Sequence, residues 1–160
     1  MADTTVITVK MDGISGDSQI KGADGHADIL SYSYSASIPI EGRGPGLSGA
    51  GATYVTPIAL HKKTCSATPP TEQQFYSGKP IKTVEINEYK ADGESQPKPF
   101  VKITLTNARI NSYQVSPGGV EDLSMTFETV KREYFKQNTE SSALEQAGST
   151  TFDLLTKAVS

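Results

Sequence analysis

Apolar and polar residues alternate along much of this chain with a period of two. Residues 27–38 show the pattern most clearly: Leu30, Tyr32, Tyr34, Ala36 and Ile38 fall on one face, and Ser31, Ser33, Ser35 and Ser37 fall on the other. Because successive side chains of a β-strand point to opposite faces, this pattern predicts a half-buried strand with one small polar side. Further strands are predicted around Val9, Ile103 and Met125 and over 54–62, 81–90 and 108–115.

Turn residues separate the predicted strands. Asp12-Gly13 follows the first strand, Asp92-Gly93 lies between residues 90 and 99, and Pro117-Gly118-Gly119 is expected to divide the last two strands. Such pairs supply the positive φ and the fixed φ that tight turns require. Regularly spaced strands with these turns predict a mainly β fold, a barrel or a sandwich, in a single domain over 1–160.

One short helix interrupts the strand pattern. Thr68 is the expected N-cap, Pro69 fits the first helical position, and Gly78 is placed to end the helix. A helix of this length is marginal alone, so we expect Phe75 or Tyr76 to hold it against the side of the β domain.

Two segments have compositions that leave more than one role open. The long loop over 41–53 is rich in glycine; we take its candidate inter-subunit residues to be Glu41, Gly42, Arg43, Gly44, Pro45, Gly46, Leu47 and Ser48. Such a loop is either a floppy hairpin tip or an extension that orders against a neighbouring subunit. Near the C-terminus, Phe152, Leu154 and Leu155 follow a polar stretch, and this cluster could close the core or dock on a partner.

Composition and charge narrow the function classes. The chain has 15 basic and 18 acidic residues and a net charge of −3. This charge balance gives no sign of a basic surface for binding nucleic acid or an anionic membrane. Cys65 is its single cysteine, so an intramolecular disulfide is excluded. We find no cleaved signal peptide and no apolar run of membrane-spanning length, and expect a protein made in the cytoplasm without membrane insertion.

Candidate catalytic and ligand-binding groups are few. His61 and Cys65 are four residues apart in a strand end and turn, which is not helical i, i+4 geometry, and His26 lies between Asp24 and Asp28 without a second histidine or a cysteine at zinc spacing. A formal G-x-G-x-x-G over 44–49 precedes a strand, whereas a dinucleotide site needs a helix there. We therefore expect no catalytic, metal or cofactor-binding residues, and no enzyme.

Several segments together resemble the Hcp family (haemolysin-coregulated protein), the tube component of type VI secretion. Met11-Asp12-Gly13-Ile14-Ser15-Gly16-Asp17-Ser18 is similar to the family's first strand and turn, and Ile29 to Tyr34 is similar to its next strand. Ser66 to Lys79 resembles its single helix, Tyr113 to Gly119 resembles the turn before its last long strand, and Phe127 to Tyr134 resembles the core of that strand.

The resemblance implies a fold of two antiparallel sheets that form a β barrel, with one short α-helix at its side and a long extended loop. It further implies homo-hexameric rings that stack into a conduit, other type VI components (sheath and spike) and effector proteins as partners, and secretion without a cleaved signal peptide. The strand that corresponds to Ser31, Ser33 and Ser35 lines the ring interior in that family, so these serines are the candidate lumen-facing and effector-facing residues. Without the resemblance, the same serines favour an ordinary solvent-facing strand side over a lumen.

Two other classes of function stay open from the sequence. The chain could be a phage tail-tube protein, a class that also forms stacked rings. A monomeric β barrel could instead bind a small apolar molecule in its cavity.

Overall fold

The computed structural model describes residues 5–39, 53–90, 99–137 and 144–160. The candidate inter-subunit residues Glu41 to Ser48 lie outside the described residues, so their predicted role stays a prediction. The chain forms ten strands and one helix in these ranges: β1 Thr5–Met11, β2 Ala27–Ser33, β3 Ala36–Ser37, β4 Tyr54–Val55, β5 Ile58–Lys63, α1 Thr68–Ser77, β6 Ile81–Lys90, β7 Pro99–Ser116, β8 Val120–Thr126, β9 Thr129–Gln137 and β10 Leu144–Asp153.

Six of the strands close into a barrel. The hydrogen-bonded order is β7-β6-β1-β2-β5-β8, and β8 pairs back onto β7, so every neighbouring pair is antiparallel and the ring of strands has no free edge. β9 and β10 continue the sheet beyond β7, and β3 pairs with β4 in a separate small sheet. The predicted mainly β barrel with one helix is confirmed.

The barrel interior is occupied by apolar side chains. Leu60, Ile103 and Met125 come from three different strands and each is at most 1% exposed. Small barrels are commonly filled in this way by their own side chains, which pack in the centre and stabilise the closed sheet. The barrel is therefore a packed core, and any wide passage has to lie outside it.

Strand β7 is longer than the sequence pattern predicts. Residues 101–105 and 108–115 form one strand, in which the buried set changes from odd positions (Val101, Ile103, Leu105) to even ones (Ala108, Ile110). Asn107 stands at the change with φ 48°, and a bulge between Ile110 and Ser112 changes the parity again. These two irregularities bend β7 so that its first half pairs with β6 and β9 and its second half with β8.

The segment after the Pro117-Gly118-Gly119 turn is three strands, which corrects two expectations. The turn joins β7 and β8 and does not divide the last two strands, because β9 and β10 follow. The expected single strand through Phe127 and Tyr134 is broken at Glu128, whose N–H donates to the carbonyl of Thr106. At this point the chain moves from one half of β7 to the other, so one strand cannot continue.

The predicted alternation over 27–38 is interrupted by a bulge. Ile29 pairs with Lys62 and Ser31 with His61, so Leu30 is an extra residue in β2. Ala27 and Ile29 are buried before the bulge, and Tyr32 packs against the core after it. Leu30 is 44% exposed and Ile38 48% exposed; their predicted places on the apolar face were wrong because the bulge exchanges the faces and β2 ends at Ser33.

Helix α1 begins at Thr68, the residue predicted as its N-cap, so the helix starts one residue earlier than predicted. Ala67 occupies the N-cap and has no side-chain capping bond, and Gly78 ends the helix in the left-handed conformation, as predicted. The hydroxyl of Thr68 is engaged elsewhere: it accepts from the Cys65 N–H at 3.0 Å and donates to Glu121 Oε1 at 3.1 Å. Phe75 stacks on Tyr113 with ring centroids 6.1 Å apart, so Phe75 is the residue that holds the helix.

A buried ion pair lies beneath the start of α1. Lys62 of β5 and Glu121 of β8 are directly opposite in the register, their side chains are fully buried, and Lys62 Nζ donates to Glu121 Oε1. Tyr113 donates to the other carboxylate oxygen at 2.8 Å, and Thr68 binds the first. Burial raises the pKa of Tyr113, and the Glu121 carboxylate raises it further, so the phenol stays a donor.

The loop between β1 and β2 is packed onto the outer side of the barrel through His26. His26 is 6% exposed, and its Nδ1 forms a hydrogen bond of 2.9 Å with Oγ1 of the buried Thr8 in β1. Its backbone carbonyl accepts from the Ser18 N–H at 2.8 Å, and its N–H donates to the Ala23 carbonyl. The imidazole is thus structural, with hydrogen bonds that join the loop to the sheet.

Burial lowers the pKa of His26 below its usual 6.5, against the opposing charge of Glu85 and with the help of Lys10 and Lys102. Well above pH 6.5 the imidazole is neutral in both the folded and the unfolded chain, so the stability that depends on neutral His26 is fully present. As the pH falls below 6.5 the unfolded chain binds the proton first, so stability is lost until the pH passes the lowered pKa.

We expect the wild type to lose more stability than a His26→Gln variant between about pH 7.5 and about pH 5.5, the range in which histidine titrates. The measurement is urea unfolding of both proteins at several pH values, because the carboxylates titrate equally in both. Parallel pH profiles of the two proteins would contradict the assignment of this loss to His26.

Candidate functional site

A small polar surface covers the outer side of four barrel strands. Residues directly opposite in antiparallel strands have side chains on the same face, and the register gives two parallel rows across β2, β5, β8 and β7. We call this surface the serine face; its rows are Ser31, His61, Asp122, Gln114 and Ser33, Ala59, Ser124, Ser112. Two of the predicted lumen-facing residues, Ser31 and Ser33, are exposed there at the β2 side.

The serine face forms hydrogen bonds within itself. His61 Nδ1 donates to Asp122 Oδ1 at 2.5 Å, so the only ionisable residues of the two rows form one pair. Ser112 and Ser124 hydroxyls are 2.6 Å apart, and Ser124 also donates to Asn111 Oδ1 at 2.5 Å. The remaining side chains of the two rows are hydroxyls, an amide and a methyl group. The surface is therefore polar and built of small side chains, and its two ionisable groups are paired with each other.

The third predicted residue, Ser35, lies beyond the end of β2. Its backbone N–H donates to Thr56 Oγ1 at 2.9 Å, and its carbonyl accepts from the Thr56 N–H at 2.8 Å. These bonds connect the end of β2 to the residue that precedes Pro57. Ser35 is exposed, but the strand register does not place it in the two rows with Ser31 and Ser33.

Beside the β2 edge of the serine face is a depression of about 490 Å³ that includes Ser31, Ser33, Tyr32, Glu88 and Arg132. Burial raises the pKa of Tyr32 to about 12, and the hydrogen-bonded Glu88 carboxylate adds to the rise. The phenol therefore remains protonated at neutral pH and donates to Glu88.

The sequence candidates for ligand chemistry are accounted for by structural contacts. His61 pairs with Asp122, 61 positions away along the chain, a partnership that no local motif signals. Asp28 accepts from Ser18 Oγ at 2.7 Å, while His26 bonds Thr8. In the described parts of the chain, no three His, Cys, Asp or Glu side chains form a group that could hold a metal ion. Across those same ranges, no helix has the length and apolar character to span a membrane.

Comparison with known proteins gives a consistent result. The family model described as "Type VI secretion system effector, Hcp" matches residues 8–134. A solved structure of a type six secretion system protein superposes with a TM-score of 0.85 at 19% identity, covering 98% of this chain and 100% of that one. Hcp1 from Salmonella typhimurium gives 0.73 at 23% identity, with coverage of 98% and 99%.

A type VI secretion system effector from Yersinia pestis gives a TM-score of 0.69 at 18% identity, with 92% and 98% coverage. At these identities the solved structures establish the fold. No curated protein matches the chain.

Proposed function

The chain belongs to the Hcp family of type VI secretion tube proteins, and we propose that it assembles into homo-hexameric rings that stack into a conduit with the serine face on the lumen. In this proposal the rings assemble in the cytoplasm together with sheath and spike components, carry effector proteins in the lumen, and are exported without a cleaved signal peptide. The role is structural, as in the family.

The serine face is the observation that carries the proposal. A lumen through which proteins pass has to stay hydrated without holding its cargo, and hydroxyl and amide groups bind water while offering no large apolar area. The two rows provide such a surface across four strands, with the His61–Asp122 pair as their only ionisable side chains.

The packed interior of the barrel supports an assembly over a single-chain conduit or ligand carrier. Because the centre is filled by side chains such as Leu60, Ile103 and Met125, one subunit offers no passage through itself. A passage therefore has to form between subunits, with one outer face of each barrel turned to the common axis. The same packing argues against a monomeric barrel with an internal ligand cavity, and the family match favours type VI secretion over a phage tail.

We expect the purified protein to have a solution mass of six chains by light scattering. Stacks of rings in electron micrographs would then be the next observation. A monomer at every concentration would contradict the ring proposal while leaving the fold intact.

The position of the serine face can be tested by cysteine labelling in the same preparation. In a Cys65→Ser background, a Ser33→Cys variant is treated with N-ethylmaleimide and with a large polyethylene-glycol maleimide. We expect the assembled ring to react fully with the small reagent and poorly with the large one, because the small one diffuses through the lumen. Denatured protein, which should react with both reagents, is the reference.

The labelling result separates three placements of Ser33. Resistance to both reagents would place Ser33 in a subunit contact, and full reaction with both would place it on the outside of the ring. Either result would contradict a lumen-facing serine face. The residues Glu41 to Ser48 enter this proposal as the inter-subunit loop on the argument from sequence.

A further inference from the structure

An apolar groove that contains an exposed arginine lies where the small β3–β4 sheet meets β9 and β10. The groove has a volume of about 320 Å³, and its walls include Tyr34, Val55, Val130, Phe152 and Arg132. Val130 and Phe152 are opposite each other in the β9–β10 register, and Val130 also pairs with Leu105 of β7. This places the groove beside the first half of β7.

Arg132 is the charged group of the groove. Its side chain is exposed, and it forms no ion pair with any carboxylate in the ranges that the structure describes. Glu88, which shares the adjoining depression with Arg132, is hydrogen-bonded by Tyr32. A guanidinium set among apolar walls is a binding group for a carboxylate on a partner that also brings an apolar side chain.

The second half of β7 packs against α1, and the outer side of this helix carries an exposed aromatic ring beside a carboxylate. Tyr76 is 73% exposed and its hydroxyl donates to Glu72 Oε1 at 2.8 Å, so an aromatic ring and a carboxylate stand side by side on the helix. Phe75 on the inner side of α1 stacks on Tyr113. Tyr113 is eight residues beyond Leu105, a separation of at most about 26 Å along a strand.

We propose that the groove of one subunit binds Tyr76 and Glu72 of α1 from a second copy of this chain, with Glu72 paired to Arg132. The two surfaces differ and lie at different ends of β7, so one copy cannot satisfy its own groove and two copies meet head to tail. A head-to-tail contact closes into a ring when its rotation permits. The inference rests on the proposed ring assembly and assigns a contact within it.

The proposed contact can be tested by exchanging the charges of Arg132 and Glu72. Arg132→Glu and Glu72→Arg are each expected to weaken subunit association by about 10- to 100-fold, because each brings like charges together at the contact. The double variant Arg132→Glu/Glu72→Arg restores the opposite charges and is expected to return association close to the wild-type value. Sedimentation velocity over a concentration series gives the association constants.

Three further variants control for folding and for charge alone. Lys82→Glu makes the same charge change at an exposed residue outside both surfaces and should associate like the wild type. Arg132→Gln and Glu72→Gln remove one charge each without repulsion, and are measured if a reversal lowers the thermal unfolding temperature.

The outcomes separate this inference from the ring proposal. Weakened association in both single variants, together with restored association in the double variant, supports the contact. Hexamers with unchanged association in all variants overturn the contact but leave the ring. Weak single variants without restoration show that the groove takes a different occupant, and a monomeric wild type overturns both proposals.

Discussion

Replacing Lys62 with methionine is expected to lower the free energy of unfolding by about 3–5 kcal/mol, the cost of leaving a buried charge without its partner. Lys62 and Glu121 are both fully buried and directly opposite in the register. Methionine has a similar length but no positive charge, so the Glu121 carboxylate would keep only its bonds from Tyr113 and Thr68. Two neutral hydroxyls do not compensate a carboxylate that has lost all contact with water.

A matched series isolates the charge effect. The double variant Lys62→Met/Glu121→Gln removes both charges. The amide oxygen accepts from one of the Tyr113 and Thr68 hydroxyls and the amide NH2 group donates to the other, so we expect this variant to recover most of the lost stability. Lys63→Met removes a neighbouring exposed charge and should change the free energy by no more than about 0.5 kcal/mol. Urea unfolding measures all three variants. If Lys62→Met and Lys63→Met were equally stable, the buried pair would carry no such energy.

The buried ion pair has a partial signal in the sequence. Ile58, Leu60 and Lys62 share one parity in β5, and Glu121, Leu123 and Met125 share one in β8. A charged residue on the same side of a strand as the apolar residues is a candidate for burial with a partner of opposite charge. The pairing of these two strands, and hence of the two charges, is set by tertiary register and has no local signature.

The six barrel strands, the side helix and the glycine that ends this helix could be predicted from the sequence, because each depends on local periodicity or on one residue's backbone preference. Strand β10 lies in a polar stretch and was not predicted. Local periodicity could not predict the bulges at Leu30 and Asn111 or the left-handed conformation of Asn107. These irregularities depend on the curvature of the closed barrel. The exposure of Leu30 and the single long β7 both follow from these irregularities.

The candidate site was predictable only in its first strand. Ser31 and Ser33 stand out as small polar residues in alternation, and the structure exposes both. The rest of the serine face comes from β5, β8 and β7, whose residues are distant in sequence and reach the same surface only through strand pairing. His61 and Asp122 look unrelated in the sequence and are hydrogen-bonded in the fold.

A Gly16→Ala variant is expected to lose about 3 kcal/mol of stability, the upper end of the range for overpacking a tight site. A Cβ atom at this position would lie 2.4 Å from the backbone oxygen of His26 and 2.7 Å from the Ala27 nitrogen. These are backbone atoms at the start of β2, so they cannot rotate away as a flexible side chain would. The variant has to move either the loop or the strand.

The structure says which bonds that movement would break. The Gly16 N–H donates to the Gly25 carbonyl at 2.9 Å, and the Ser18 N–H donates to the His26 carbonyl at 2.8 Å. Both hold the loop against β2 and keep His26 next to Thr8, so we expect the Gly16→Ala variant to lose the pH dependence that His26 confers as well as global stability.

The control for Gly16 is Gly148→Ala. Gly148 in β10 is exposed, and an added Cβ there would meet no atom within 4 Å, so this variant should be close to the wild type in stability. Urea unfolding of the three proteins at neutral and mildly acidic pH gives both readouts. Equal stability of the two alanine variants would mean that the loop accepts a side chain at Gly16 by shifting without cost, and the packing argument for His26 would then fail with it.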